Sequence, residues 1–447
     1  MANESSTTRA QCCIVGGGPA GMMLGYLLAR AGVQTTVLEK HGDFLRDFRG
    51  DTVHPSTLRI MDELGLLDDF LQRPHQKLRR LGGVFGEERI QLGDFSGLPE
   101  RYAFIAMMPQ WEFLDFLASR ARSLPAFTVT LQANVTGLIS EDDGRVAGVR
   151  GTSPRGAFEV RADCTIGCDG RHSTVRAAAG LAVEDIGVPI DVLWFRVGRD
   201  PSGEDAALAR IAPGHFVVTI DRGDYWQCAF VIPKGGAAAL QRQDVDVLRR
   251  QVVTTAPLLA PHIGDVRSWH DVKLLTVTVD RLPHWSKPGL LCIGDAAHAM
   301  SPVGGVGINL AIQDAVATAN LLAAKLRAGT VDEAPRRGAQ APALADQGDA
   351  GAAGGDPEQR AGAGHGQRKP ERPARALADA RAHGGAGPAA ALRPAARHGR
   401  TARARALAPG LKRMQNCWHP SCWNCLRASP RWTGAREAGI TVALPNR

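Results

Sequence analysis

The chain has 447 residues, 44% of them hydrophobic, and no apolar run approaches the roughly 18 residues needed to span a bilayer. Its start, MANESSTTRA, lacks the basic stretch and apolar core of a secretory signal, so a cytoplasmic protein without a membrane span is expected. The net charge of +8 (53 Lys+Arg, 45 Asp+Glu) invites a nucleic-acid reading, yet residues 335–447 hold 19 basic and 7 acidic residues, leaving 34 and 38 for the rest; no nucleic-acid partner is expected.

The first clear element is an apolar strand, Gln11–Val15, which runs directly into Gly16-Gly17-Gly18-Pro19-Ala20-Gly21. Gly16, Gly18 and Gly21 occupy the three positions of G-x-G-x-x-G: a tight turn, an approach for pyrophosphate, and close packing of helix on strand. A helix follows with Met22, Leu24, Leu27, Leu28 and Ala31 at core-facing spacing. Its dipole and unpaired N–H groups favour a diphosphate. A second strand, Thr35–Leu38, ends in Glu39, where a carboxylate grips the hydroxyl pair of a ribose. Strand, glycine turn, helix, strand and acid in register make a dinucleotide site, which leaves FAD and NAD equally open.

Two later segments carry more. Cys164-Thr165-Ile166-Gly167-Cys168-Asp169-Gly170 is a strand entering a polar turn that continues to Arg176. Taken alone, Asp-Gly is a turn dipeptide. Residues 181–285 are strand-rich, with DVLWFRVGR, HFVVTI, YWQCAFVIP and VKLLTVTVD separated by Gly, Pro and Asp turns. Next comes Leu291-Cys292-Ile293-Gly294-Asp295-Ala296-Ala297-His298, then Ser301-Pro302-Val303-Gly304-Gly305-Val306-Gly307-Ile308-Asn309 and a helix running through Leu326.

In this order the three segments resemble the class A FAD-dependent aromatic hydroxylases, the flavoprotein monooxygenases that include para-hydroxybenzoate hydroxylase and the ubiquinone-biosynthesis hydroxylases. The segment at Asp169 is similar to that family's DG motif, which lies near both FAD and the passing nicotinamide nucleotide, a role the resemblance implies for Asp169, Gly170 and Arg176; the segment at Asp295 is similar to its GD motif. The resemblance covers residues 11 to about 330. It implies an α/β fold: a Rossmann-like FAD-binding domain with a second, strand-rich (α+β) substrate domain. The expected boundaries are 1–180 with 283–334 for the discontinuous FAD-binding domain and 181–282 for the sheet domain.

The same resemblance implies the site. FAD is expected to be held by Gly16, Gly18, Pro19, Ala20, Gly21, Glu39, Lys40, Arg49, Gln110, Asp169, Gly170, Arg176, Gly294, Asp295, Pro302, Gly305, Gly307, Ile308 and Asn309, with Arg46 an alternative to Arg49. Asp295 would accept from ribitol hydroxyls. Pro302 would stiffen the loop beside the flavin ring, and Gly307 and Asn309, at the helix start, complete the expected catalytic group with it. The helix dipole there can stabilise negative charge on reduced flavin. His298 reads as structural or flavin-adjacent, not as a general base. No His or Cys attachment sequence is evident, so FAD is expected to bind non-covalently.

The family chemistry reduces FAD with NADH or NADPH, adds O2 to give a C(4a)-hydroperoxyflavin and hydroxylates a small aromatic, phenol-like substrate. Trp194, Phe216, Tyr225 and Trp226 are candidates for the substrate face. Three alternatives stay open: an epoxidase, a prenyl-chain reductase, or a flavin-binding protein without turnover. A second GxGxxG–acid unit, a redox CxxC by the first helix and the Trp-x-Trp-x-Ile-Pro signature of flavin halogenases are all absent from the sequence. A monomer or homodimer is expected.

Nine cysteines, an odd number without a regular framework, fit reduced thiols. Cys417, Cys422, Cys425 and His419 look like a zinc cluster, but only one CxxC is present, so no metal is expected. Between Pro335 and Cys417 there is no Ile, Val, Phe, Tyr or Trp. Such a stretch cannot bury enough apolar surface to order itself, so residues 335–447 are expected to be mostly disordered. Their Ala, Arg, Gly and Pro can be encoded wholly in G and C. The segment therefore reads as an out-of-frame translation, with a native basic tail as the alternative.

Overall fold

The structure is a computed structural model and describes residues 6–45, 52–200 and 209–331. Its larger sheet has eight strands. Five run parallel in the spatial order Leu290–Cys292, Gly156–Gly167, Ser6–Val15, Thr35–Leu38 and Phe127–Thr130. Ser6–Val15 lies centrally, so the chain order reverses beside it, and at such a switch point the carboxyl ends of parallel strands open a crevice. Backbone bonds stitch those ends together: Gly16 N to Leu38 O (2.8 Å), Cys168 N to Val15 O (2.7 Å) and Ile293 N to Gly167 O (2.9 Å). One face is covered by the helices Pro19–Arg30, Gln110–Arg122 and Gly307–Ala328 in a single apolar cluster. Pro19–Arg30 is apolar almost all round and buried accordingly, the pattern of a helix held between sheet and neighbouring helices.

The second sheet has seven strands. Ile190–Gly198, His215–Asp221 and Tyr225–Pro233 form its middle, close to the expected runs. Two findings go beyond the sequence reading. The hairpin Arg80–Phe85 and Glu88–Asp94 adds to this sheet through Ala209–Ala212, so the sheet draws on chain outside 181–282. The helix Val245–Thr255 then covers one face, packing Leu248 and Val252 on Leu193, Phe195, Val217 and Phe230.

The run Val272–Asp280, expected as one strand, pairs only at Lys273–Leu275 and again at Asp280–Arg281. Side chains take over the backbone between them: Val277 N–H donates to Asp191 Oδ1 (3.0 Å), and the Lys234 ammonium donates to the Val277 carbonyl. Cys12, Cys13, Cys164, Cys168, Cys228 and Cys292 are free and buried. The expected disorder and frame change after 335, and the Cys417–Cys425 cluster, lie outside the described residues.

Candidate active site

The glycine turn does what its spacing requires. Gly16 has φ +106°, and a Cβ there would collide with the Cys168 carbonyl. A Cβ on Gly21 would strike the Gly16 carbonyl, so helix and turn pack as closely as backbone allows. Gly18 differs, because a Cβ there would have no heavy atom within 4 Å. Gly18 is also the N-cap of the helix beginning at Pro19, and no side chain caps that end. Its first N–H groups have no intrahelical partner. Open space before an uncapped helix start is what a pyrophosphate needs. Glu39, 7% exposed, accepts from Gly17 N–H (2.8 Å) and His41 N–H (2.9 Å), which draws the acid under the glycine turn. Lys40 is exposed beside it, while Gln110 is half-buried at the first turn of its helix. Arg46 and Arg49 lie outside the described residues.

The DG segment is turned inward more than the resemblance implies. Ser173 Oγ and Val175 N–H (3.1 Å) both donate to the Asp169 carboxylate, and burial pushes its pKa up. Asp169 thus braces the short helix Thr174–Ala178. Gly170 turns the chain with φ +83°. Arg176 is 8% exposed and forms a two-pronged pair with Asp280, at 3.2 and 3.0 Å, while also donating to the Ala296 and Arg171 carbonyls. That placement ties the DG segment to the GD segment, and it differs from a nucleotide-facing role for the guanidinium.

Gly294 has φ +58°, and its would-be Cβ lies 3.2 Å from Ala20 Cβ and 3.4 Å from Ala311 Cβ. The GD turn therefore meets the start of the first helix and the start of the last, joining three segments far apart in the chain. Asp295 is half-buried. Past Pro302, Gly304 and Gly305 both take left-handed φ, and Thr52 Oγ1 donates to the Gly305 carbonyl (2.6 Å). Asn309 uses all four of its amide hydrogen bonds: Oδ1 accepts from His54 N–H and Thr57 Oγ1 at 2.8 Å, while Nδ2 donates to Thr52 O (3.1 Å) and Gly305 O (3.2 Å). Its side chain is spent on joining residues 52–57 to the loop. Gly307 and Ile308 instead offer helix-start N–H groups.

His54, in the same junction, is neutral: burial lowers its pKa to about 4, and its Nε2 is buried without a hydrogen-bond partner. An orphaned polar atom beside the Gly304 loop, the open space at Gly18 and the uncapped helix together fit a dinucleotide whose ring reaches this loop.

The register of the second sheet sorts the aromatic candidates. Trp194, Phe216 and Tyr225 share one face, while Trp226 lies on the other, in the core under Val245–Thr255. Trp194 and Val218 pack with Phe95, Ile105, Met107 and Ile220. Ile105–Met107 pairs with Thr52–Val53, the strand clamped to the Gly305 loop, so this face looks toward the junction. The sequence reading gave no role to Thr52, His54, Asp280 or Asp314. Two of them left a signal: His54, with Pro55 and Ser56, resembles the family's segment after the second strand, and Asp314 stands two helical turns beyond Gly307.

The pattern described as "FAD binding domain" matches residues 9–334. The chain belongs to this FAD-binding family. Within the family it is 35% identical over 327 residues to 6-methylpretetramide 4-monooxygenase of Streptomyces rimosus, covering 72% of this chain and 77% of that protein. It is 31% identical over 334 residues to 12-dehydrotetracycline 5-monooxygenase/anhydrotetracycline 6-monooxygenase of Streptomyces rimosus subsp. rimosus, covering 69% of this chain and 61% of the relative. The chain thus spans about three quarters of the first relative and less than two thirds of the second. The crystal structure of p-nitrophenol 4-monooxygenase PnpA from Pseudomonas putida shares the fold, with TM-score 0.60 and 24% identity over 73% of this chain and 84% of that one. Both of these relatives are named monooxygenases, and the family match ends close to the composition change after 334.

Proposed function

We propose that the chain is a cytoplasmic FAD-dependent monooxygenase, monomeric or homodimeric, that uses NADH or NADPH and O2 to hydroxylate a small aromatic, phenol-like substrate. The observation that carries this reading is the junction at Gly294, where the glycine-turn helix, the GD turn and the helix after Gly307 meet at the carboxyl ends of the parallel strands. Non-covalently bound FAD supplies the redox and oxygen chemistry. The protein's share is to bind, orient and keep out water. Gly16–Gly21 and the helix start at Pro19 and Ala20 receive the pyrophosphate, with Glu39 at the ribose and Lys40 and Gln110 at the margin.

Asp295 would accept from the ribitol hydroxyls. Pro302 and Gly305 would shape the ring-side loop, and the N–H groups of Gly307 and Ile308 would stabilise negative charge on the flavin. Asp169, Gly170, Arg176 and Asn309 hold these pieces in register. The Trp194–Phe216–Tyr225 face closes over the substrate and limits water.

The test is product analysis. NAD(P)H oxidation by the purified chain should rise with particular phenols from a library, and the product should carry one oxygen from labelled O2. Product oxygen derived from water would contradict the reading, and a flavin-loaded chain that consumes no NAD(P)H would favour a binding protein without turnover.

A further inference from the structure

Within the flavin reading above, on which this inference rests, the GD turn is held from an unexpected quarter. Asp314 stands on the helix Gly307–Ala328, and its Oδ2 lies 2.8 Å from Gly294 N and 2.6 Å from His298 Nε2. One carboxylate oxygen thus accepts hydrogen bonds from both ends of the five-residue turn that displays Asp295. The His298 ring rests on Trp285, with centroids 5.0 Å apart. A side chain at Gly294 would press on Ala20 and Ala311, so the turn sits close against both helices. We propose that Asp314 and His298 form a latch that positions the Gly294–Asp295 turn for the sugar chain of FAD.

A single rigid helix then sets two distances at once. Its first N–H groups address the flavin ring, and its second turn, through Asp314, sets the carboxylate that addresses the ribitol. The hydrogen bonds of both latch residues shown here go to protein, so both act as positioning residues.

The charges around the latch favour an imidazolium. Asp314 faces His298 from the helix, and Asp295 faces it from its own turn. The nearby cations are already paired: Arg281, opposite on the neighbouring strand, holds Glu184, and Arg176 holds Asp280. Cys168 stays a neutral thiol, its pKa pushed up by burial first and then by carboxylates that include Asp314. Burial alone would lower the pKa of His298, but the Asp314 hydrogen bond and charge outweigh it and the pKa is raised. The charge-assisted latch is therefore complete below that raised pKa. It weakens as pH climbs through it, when the ion pair is lost and only the hydrogen bond from the neutral ring to the carboxylate remains.

The readout is the rate of flavin release from full-length holoenzyme on dilution, followed by recovery of flavin fluorescence from mildly acid to mildly alkaline pH. The wild type should release FAD faster as pH rises. His298→Phe keeps the ring on Trp285 but removes both nitrogens, and should release flavin about tenfold faster at acid pH, with a flat profile. Asp314→Asn keeps an acceptor for Gly294 N–H and should give an intermediate rate, also flat. Asp314→Ala should be fastest, and if it fails to fold the other two variants still decide.

A latch that only packs would lower the melting temperature of the variants and leave the wild-type pH profile in each, and that outcome overturns the proposal. So would a wild-type release rate that ignores pH. A wild-type chain purified with no flavin would instead overturn the flavin reading, and the latch with it.

Discussion

The eight-stranded sheet ends its parallel strands in turns whose residues have almost no freedom, whereas the seven-stranded sheet presents broad faces of interchangeable apolar side chains. At Gly16 and Gly21 a single added carbon would meet backbone. At Trp194, Val218 and Phe216 many side chains of similar size would fill the same face. The difference teaches where each half keeps its information. Cofactor binding is written in backbone geometry, which demands particular residues at particular spacings. Under the proposed function, substrate binding is written in side-chain shape, which a strand pattern leaves open.

The largest effect expected from breaking this contrast is at Gly21. Gly21→Ala should abolish soluble folded protein, since its Cβ would meet the Gly16 carbonyl and neither backbone can retreat. Circular dichroism and expression yield would show it, and a folded, flavin-bound Gly21→Ala would mean that the turn is less constrained than described.

The glycine turn, the strand ends and the last helix were legible in the sequence because each rests on such a constraint or on clear periodicity. The polar members of the motifs were legible only as positions. For Asp169, Arg176 and Asn309 a sequence cannot say whether a side chain turns to ligand or to protein. In the structure Asp280, 104 residues away, takes up the guanidinium of Arg176. The second sheet hid more. The Arg80–Asp94 hairpin joins it from a distant stretch of chain, and the early end of the Val272–Asp280 run depends on Asp191 and Lys234. Long-range pairing of this kind has no local signature.

Arg176→Met sharpens the point for the motif side chains. It leaves Asp280 buried, 5% exposed, without its guanidinium, and should cost about 3–5 kcal/mol in denaturant unfolding. A loss of NAD(P)H affinity with full stability would return Arg176 to a nucleotide-facing role.

On the second sheet, Trp226 and Trp194 should separate cleanly. Trp226→Ala hollows the core under Val245–Thr255 and should cost about 3–5 kcal/mol of stability. Trp194→Ala should act chiefly on KM for the aromatic substrate, with the smaller change in melting temperature. Equal stability losses with unchanged KM would show that both faces are simply core.

The smallest effect expected is a pH dependence at His54. Its folded pKa of about 4 lies below its ordinary 6.5, so the unfolded chain binds more protons in between. Its contribution is complete above pH 6.5 and falls away as pH drops toward 4, by at most about 3 kcal/mol. His54→Phe should flatten that part of the stability profile, and an unchanged acid limb would show that His54 is not buried in solution.

The most direct test of the central claim is the ratio of flavin to protein in the purified full-length chain, compared with Gly18→Val. Gly18 has no heavy atom within 4 Å of a would-be Cβ, so the substitution should leave the fold intact and fill only the space reserved for pyrophosphate. The account predicts equimolar FAD in the wild type, released free by heat, and its loss from Gly18→Val with unchanged circular dichroism. Equal flavin in the two proteins would contradict the placement of the cofactor at the glycine turn, and with it the assignment of the site.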